Sequence, residues 1–301
     1  MKFKDMKRLF VTTLTTAIIC CSCMQTRTEL YEKFNTAWDD NDTTGVESII
    51  SKWEKSYPGD PEIYSLRSNY YLMKAVRSNM TLTEEAPSDG REYYTMTDSL
   101  GRELYLSEEY YVDDAMIDSA IMTLVEGIAN KPDRIDFRLG KVTIHMYVGA
   151  HSEAIETVKS MLERSLINNN IWSGEMGKDI ESDGVSYICN CIQDYFSKMI
   201  TAGDFISAEE LIDCCLEYYP ENPYFIWNKG AMKFNTGDFK EAVKLYLKAR
   251  AAIPENMLLT INLAEALERA GDLQESRKYY QIVSQSGDPQ YADIASQALK
   301  N

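Results

Sequence analysis

The last third of the chain repeats one short motif at a fixed interval of 34 residues. Segments 189–222, 223–256 and 257–290 align without a gap. At the same offset, each has a Gly-Asp pair, then a large apolar residue and, three positions later, a small residue. The motif is Gly203-Asp204-Phe205 with Ala208, Gly237-Asp238-Phe239 with Ala242, and Gly271-Asp272-Leu273 with Ser276. A period of this length is typical of small supersecondary units stacked in a row.

Each position of the motif has a physical role in a helix–turn–helix unit. Glycine adopts the left-handed backbone that ends one helix, and aspartate caps the next helix by accepting its free N–H groups. Alanine or serine lets two helices approach closely, and a proline, such as Pro220 or Pro254, ends the second helix. One such hairpin cannot bury its own apolar stripe, so neighbouring hairpins must stack.

These residues resemble the tetratricopeptide repeat. The best-matching unit, 223–256, has residues typical of the family at Trp227, Gly230, Gly237, Phe239, Ala242, Tyr246, Ala249 and Pro254. The resemblance extends with lower fidelity to 27–60, 61–134 and 135–168, and 291–300 is predicted to be a capping helix. It implies an all-α fold, a right-handed solenoid of about six helix–turn–helix repeats over 27–301, with no cofactor and with a protein or peptide as partner.

Two insertions interrupt the predicted repeats. The first, 78–112, has an alternating stretch at Tyr93–Thr97 and another at Leu104–Leu106, which predicts a β-hairpin with Gly101 in the turn. An isolated hairpin is marginally stable, so we expect it to lie on the helices or on a partner. The second insertion, 169–188, contains Trp172. This side chain either pins the loop to the core or is an exposed anchor for a ligand.

The first 22 residues resemble a bacterial lipoprotein signal peptide. A basic start precedes an apolar stretch, Leu9–Ile19, which is too short to span a bilayer but suits a signal peptide. The resemblance implies lipidation of Cys23, or alternatively Cys21, with 23–26 as a linker. A plain secretion signal and an uncleaved anchor are the alternatives. Residues 24–28 contain no acid, which favours the periplasmic side of the outer membrane over the cell surface.

The residue content argues against catalysis and against nucleic-acid binding. The formal net charge is −16, which opposes binding to nucleic acids and to anionic lipid surfaces and leaves the lipid anchor as the only expected membrane contact. The two histidines, His145 and His151, have no partner at a recognisable catalytic spacing. The stretch around Asp42 matches a calcium loop only in part, because Ser51 stands where a bidentate Glu is needed. We therefore expect a protein that is not an enzyme.

Four cysteines lie in the segment 189–222. Cys191 is near the start of the first predicted helix, and Cys214 and Cys215 are near the end of the second. These ends are neighbours in an antiparallel hairpin, so a disulfide from Cys191 to Cys214 or Cys215 is geometrically possible in an oxidising compartment. The alternative is that these three and Cys189 are buried as small apolar side chains.

The family resemblance also implies that the first helix of each repeat lines a concave groove. The partner-binding residues predicted there are Tyr224, Trp227, Phe234, Asn235, Ile261, Glu265 and Arg269. Such a groove suits an amphipathic helix or an extended peptide, although some of these aromatic residues are expected to pack on the next repeat instead. We thus expect a non-catalytic scaffold lipoprotein of the cell envelope. The alternative is a glycan-binding lipoprotein of the outer membrane that stacks sugars on Trp172, Trp227 and exposed tyrosines.

Overall fold

The computed structural model describes residues 26–88, 92–180 and 183–300. The predicted signal peptide, with Cys21 and Cys23, lies outside the described residues. None of the helices in the described ranges is both long enough and apolar enough to cross a membrane. The helices are α1 (Arg27–Asp39), α2 (Thr43–Ser56), α3 (Glu62–Ala75), α4 (Asp114–Asn130), α5 (Ile135–Tyr147), α6 (His151–Ile167), α7 (Gly184–Thr201), α8 (Phe205–Tyr218), α9 (Pro223–Asn235), α10 (Phe239–Ala252), α11 (Met257–Arg269), α12 (Leu273–Ser284) and α13 (Pro289–Ala298). The strands are β1 (Val76–Thr83), β2 (Tyr93–Thr97) and β3 (Glu103–Val112), and a 3₁₀ turn spans Glu175–Gly177.

The repeated Gly-Asp pairs form the turns that the sequence predicts. Gly203, Gly237 and Gly271 have φ of +77°, +83° and +91°. The aspartate after each glycine caps the next helix, and Asp204 Oδ1, for example, accepts the backbone N–H of Ser207 at 3.1 Å. Such a cap contributes about 1 kcal/mol to helix stability. The partial calcium loop has the same local geometry, because Asp42 caps α2 by accepting the N–H of Gly45 at 2.9 Å.

One compact unit consists of the described residues up to Pro132 together with 175–177. Its helices α1 to α4 pack in sequence order, each against the next. The core surrounds the fully buried Trp53, and the Arg27 guanidinium lies 5.9 Å from the centre of that ring. Residue 176 is fixed to this unit by its N–H, which donates to Glu62 Oε2 at 2.8 Å. The other core side chains are Leu30, Phe34, Ala37, Val46, Ile49, Ile50 and Leu66.

The second compact unit contains 133–174 and 178–300. Its helices form the hairpins α5–α6, α7–α8, α9–α10 and α11–α12, and α13 packs on α12. The small residues Ala208, Ala242 and Ser276 are buried, as their place in the motif predicts. Helix α7 begins at Gly184, inside the predicted insertion, because Asp183 caps it by accepting the N–H of Ser186. The prediction of an all-α array of helix–turn–helix repeats is confirmed within each unit.

The first insertion is a three-stranded antiparallel sheet in the order β1-β3-β2. The predicted hairpin is β2–β3, and Gly101 has the expected positive φ, +81°. Strand β1 is not part of the predicted hairpin; it directly follows α3 and pairs with β3 from Val76↔Val112 to Thr83↔Tyr105. The insertion therefore begins at 76 instead of 78. Its ends are joined by Asp113 N–H, which donates to Ala75 O at 2.9 Å, so α3 and α4 still form one packed pair.

We predict that Gly230→Ala destabilises the α9–α10 hairpin through the ring of Tyr246. A Cβ at position 230 would lie 2.6 Å from two carbons of this buried ring. Overpacking of this kind costs about 1–3 kcal/mol, which exceeds the gain of up to about 1 kcal/mol in helix propensity. We expect a lower midpoint of urea unfolding.

The matched control is Gly237→Ala, where a Cβ meets nothing within 4 Å and the strain comes from a φ of +83°. Both variants lose stability, but Tyr246→Leu should relieve only the Gly230→Ala defect. A double-mutant cycle measures this difference. Equal coupling of Tyr246→Leu to both glycine variants would contradict the steric explanation.

Candidate partner-binding surfaces

Trp227, the central residue of the predicted groove, is half-buried and packs on the core that α9 shares with α10 and α11. In the amide orientation that satisfies both polar atoms of Asn262, its oxygen accepts the indole N–H of Trp227 at 2.9 Å. The ring is thus held by apolar packing and by a hydrogen bond to the next repeat. This side chain stabilises the stack, and only part of it faces solvent.

Phe234 and Arg269 belong to a second packing cluster of the same region. The rings of Phe234 and Phe239 meet edge to face at 5.3 Å between centroids. The Arg269 guanidinium lies 4.8 Å from the centre of Phe239 and 6.0 Å from that of Phe234. A cation over an aromatic ring at such distances is attracted by about 0.5–1 kcal/mol at an exposed site.

The remaining groove residues divide between core and surface. Ile261 is only 7% exposed and packs with Ala264, Tyr280 and Val283, so it is a core residue and its assignment to the groove is corrected. Its helix, α11, is covered on that side by α12. The side chains that stay exposed are Tyr224, Asn235, Glu265 and Arg269.

Trp172 pins the second insertion to the core of its unit. It is 3% exposed, and the Arg138 guanidinium lies 5.6 Å from its ring centre. Backbone bonds on both sides hold the loop, because Ser173 N–H donates to Asp133 O at 3.0 Å and Ile135 N–H donates to Ser173 O at 2.9 Å. Of the two roles considered for Trp172, the structure therefore favours the loop anchor, and the ring is not available for stacking on a sugar.

The cysteines and histidines have structural surroundings. Cys189, Cys191, Cys214 and Cys215 are free thiols, so the possible disulfide is absent. Cys215 is buried in the core of its unit, at the position that Ala249 takes in the next repeat. Burial raises the pKa of Cys215.

His145 is buried on α5, where burial and Lys141 lower its pKa. The His151 Nδ1 atom contacts Asp204 Oδ2 across the α6–α8 packing.

A network of ion pairs joins α8 to α9. Lys229 Nζ lies 2.7 Å and Lys233 Nζ 2.9 Å from Glu209 Oε1, and Lys229 also pairs with Asp213. The hydrogen bonds from the two ammonium groups lower the pKa of Glu209 to about 2. These lysines are neutralised within the hairpin pair.

The three-stranded sheet presents two chemically different faces. Paired residues lie on the same side of a sheet and alternate along each strand, so the register separates the two faces. We call the side formed by Met80, Leu82, Tyr94, Met96, Leu104 and Leu106 the apolar face, and the exposed Glu108, opposite Met80, lies at its margin. We call the side formed by Thr81, Thr83, Tyr93, Thr95, Tyr105 and Ser107 the polar face.

The apolar face is in contact with solvent. Met80, Leu82, Tyr94 and Met96 are 58%, 54%, 74% and 50% exposed. On the polar face, Ser107 is buried and Thr81 Oγ1 donates to its carbonyl at 3.3 Å. The segment 84–88 lies beside the polar face and lines with it a groove of about 530 Å³. The apolar side is therefore the more open of the two.

The sequence contained a signal for this surface. In the stretch 78–83, Met80 and Leu82 alternate with Asn79, Thr81 and Thr83, which is the period of a strand. The predicted hairpin contains Tyr94, Met96, Leu104 and Leu106. The register with β1 places them on the same face as Met80 and Leu82.

We predict that the stability contributed by Glu209 decreases in acid. Because its folded-state pKa lies below the ordinary 4.5, the contribution is complete above pH 4.5 and is lost as the pH falls toward 2. The side chain is 34% exposed, and solvent screening limits the contribution to about 1 kcal/mol or less. Urea midpoints at pH 7 and pH 3 should therefore differ less in Glu209→Gln than in the parent chain.

The control is Glu241→Gln, which removes an exposed carboxylate that pairs with Lys244 within α10. It should leave the pH dependence close to that of the parent chain. If the two variants flatten the pH dependence equally, the assignment to Glu209 is wrong.

Comparison with known proteins gives structural neighbours only. No protein-family model and no curated protein matches the sequence. A tetratricopeptide repeat protein from Parabacteroides merdae ATCC 43184 is 12% identical, with 91% of this chain and 85% of that chain covered and a TM-score of 0.40. MamA is 15% identical, with 56% and 81% covered and a TM-score of 0.35. The type III secretion translocator chaperone SycD from Yersinia enterocolitica is 15% identical, with 38% and 83% covered and a TM-score of 0.35.

The fold follows from the chain's own geometry. Helical hairpins recur at a 34-residue spacing, turn at glycines of positive φ, are capped by aspartate, and bury a small residue at the same position of each second helix. These features identify the fold as a helix–turn–helix array of the tetratricopeptide type.

Proposed function

We propose that this chain is a non-catalytic scaffold of the cell envelope, and that its protein partner covers the apolar face of the sheet. One observation carries the proposal: four large apolar side chains on one side of the sheet are at least half exposed. The three strands overlap over three residues each, 81–83, 105–107 and 93–95, which at a strand spacing of about 4.8 Å and a rise of about 3.3 Å per residue cover about 14 Å by 10 Å. Met80 and Met96 extend the apolar face beyond this overlap at opposite corners. Exposed contiguous apolar surface of this kind marks interaction sites in soluble proteins.

The helical groove supports partner binding less directly. Trp227 and Phe234 are used in packing between helices, whereas Tyr224, Asn235, Glu265 and Arg269 remain exposed. These four side chains can add a second, more polar contact area. The glycan-binding alternative has less support, because Trp172 is buried and Trp227 is half-buried.

The expected location is also part of the proposal. The resemblance of residues 1–22 to a lipoprotein signal supports lipidation at Cys23, or alternatively at Cys21, and attachment to the periplasmic side of the outer membrane. The linker 23–26 is short, so the anchor would hold the first helical hairpin close to the bilayer.

Photo-crosslinking in cells tests the binding surface. A photo-reactive amino acid replaces Leu82 on the apolar face of the full-length chain expressed in its native host. We expect an adduct of defined mass. Met96→Lys in the same chain should abolish it, because the cross-strand neighbour of Met96 is Leu104 and the partner would desolvate an unpaired charge.

The matched position is Thr83, which is adjacent in β1 but lies on the polar face. It should give little or no adduct. Equal labelling from 82 and 83, or no adduct from either, would refute the assignment of the partner to the apolar face.

Metabolic labelling with a radioactive fatty acid tests the anchor. Cys23→Ala should abolish lipid incorporation and release the protein from the membrane fraction, because the apolar acyl chains supply the membrane affinity. Cys21→Ala is the control and should keep the label. Loss of label only in Cys21→Ala would move the anchor to Cys21, and absence of label from the parent chain would rule out a lipoprotein.

A further inference from the structure

We infer that β2 receives its partner as an added β-strand, and that the added segment is an extended stretch of another protein with alternating apolar residues flanked by lysine or arginine. This inference rests on the proposed function and names the chemistry of the partner. Three features lie together here. The edge of β2 is open and uncharged, it borders the apolar face, and the insertion that contains it is strongly acidic.

One edge of β2 is open among the described residues. The strand order β1-β3-β2 places β2 at one side of the sheet. One edge of β2 pairs with β3, and no other described strand lies along its second edge. All five residues, Tyr93–Thr97, are exposed. An open edge presents backbone N–H and C=O groups that pair with an incoming strand.

The turn determines which backbone groups point outward. Asp98 N–H donates to Arg102 O at 3.0 Å, and Asp98 O accepts the N–H of Gly101 at 3.1 Å, so both backbone groups of Asp98 point toward the β3 side of the hairpin. In an antiparallel ladder, bonded and non-bonded pairs alternate. Thr97, Thr95 and Tyr93 therefore direct their N–H and C=O groups away from β3, toward the open edge.

Strand β2 has none of the features by which natural proteins block an edge. Its sequence, Tyr-Tyr-Thr-Met-Thr, has no charge, no proline and no glycine. The pairing with β3 is continuous over all five residues, so no bulge bends the strand away. Edges without lysine, proline or a bulge are open to strand addition.

An added strand would extend both faces of the sheet. Every second side chain would lie beside Tyr94 and Met96 and enlarge the apolar face, and the others would lie beside Thr95. Because cross-strand neighbours on one face interact directly, the incoming segment needs apolar residues at alternate positions. Backbone pairing supplies affinity, and the alternation supplies the register.

The negative charge of the insertion favours particular residues at the two ends of the added strand. Residues 76–112 contain three arginines and eight aspartates and glutamates, a net charge of 3 − 8 = −5. Arg102 already pairs with Asp98 and Glu84, and Arg77 lies 3.8 Å from Asp113. The exposed Glu92 precedes β2 directly. Basic residues at the ends of the added strand therefore complement this edge.

The same charges disfavour a second copy of this chain. Antiparallel pairing of two β2 strands centred on Thr95 would place Glu92 of one copy opposite Asp98 of the other, twice. Like charges directly opposite each other destabilise a strand pair. A heterologous basic segment avoids this repulsion.

A fluorescent peptide tests the inference. The probe is Lys-Lys-Thr-Val-Thr-Val-Thr-Lys-Lys, titrated with the chain from residue 26 onward that contains both described units. We expect binding by the parent chain and by Thr95→Ala, which keeps the backbone N–H. Thr95→Pro removes that outward donor at a position where proline is compatible with an edge strand, and should weaken binding about tenfold or more.

Three modified peptides keep the test independent of the folding of the variant. Replacing the four lysines with glutamate should abolish binding. N-methylation of the peptide amides that face β2 should abolish binding, whereas methylation of the alternate amides should not. Equal binding of the lysine and glutamate peptides, equal effects of the two methylation patterns, or unchanged binding by Thr95→Pro would each overturn the inference.

Sedimentation of the chain without peptide tests whether a second copy of this chain occupies the edge of β2. We expect a monomer, and a dimer that Thr95→Pro dissociates would show that a second copy takes the edge, which would also overturn the inference. Adducts from position 82 that persist in Thr95→Pro cells would leave the proposed scaffold function intact while strand addition fails.

Discussion

The close approach of paired helices at small side chains is the constraint on which the rest of the structure depends. A single hairpin leaves an apolar stripe in water, and only stacking removes it. Ala208 and Ala242 are completely buried, and at Gly230 the ring of Tyr246 occupies the space that a Cβ would need. Larger residues there would push helices beyond the usual 8–10 Å separation. Repeats that keep these positions small therefore preserve the array.

This packing explains why the aromatic residues of the second unit are weak candidates for ligand contacts. Trp227 hydrogen-bonds to the next repeat, and Phe234 and Phe239 enclose one side of Arg269. An array of thin units needs large side chains to fill the space between hairpins, so aromatic content alone does not indicate a binding groove.

The insertion between α3 and α4 adds new surface without disturbing that packing. Strands β1 and β3 pair from Val76, the first residue after α3, to Val112, which only Asp113 separates from α4, and Asp113 N–H donates to Ala75 O. The two ends of the insertion are therefore held together by hydrogen bonds, as the ends of a tight turn are. The sheet is free to present an apolar face, a polar face and an open edge, within a segment whose negative charge favours basic partners.

Features that depend on residues close together in the chain can be predicted from the sequence: the glycine turns, the aspartate caps, the helix pairs and the β2–β3 hairpin at Gly101. That Val76–Thr83 is a strand becomes evident only from the three-dimensional fold, because its partner in the ladder lies at the far end of the insertion. The same holds for Ile261 and Trp172. Helical periodicity shows that Ile261 belongs to an apolar stripe, and the position of Trp172 in a loop makes it a possible anchor. Whether either side chain is buried depends on which distant element packs over it.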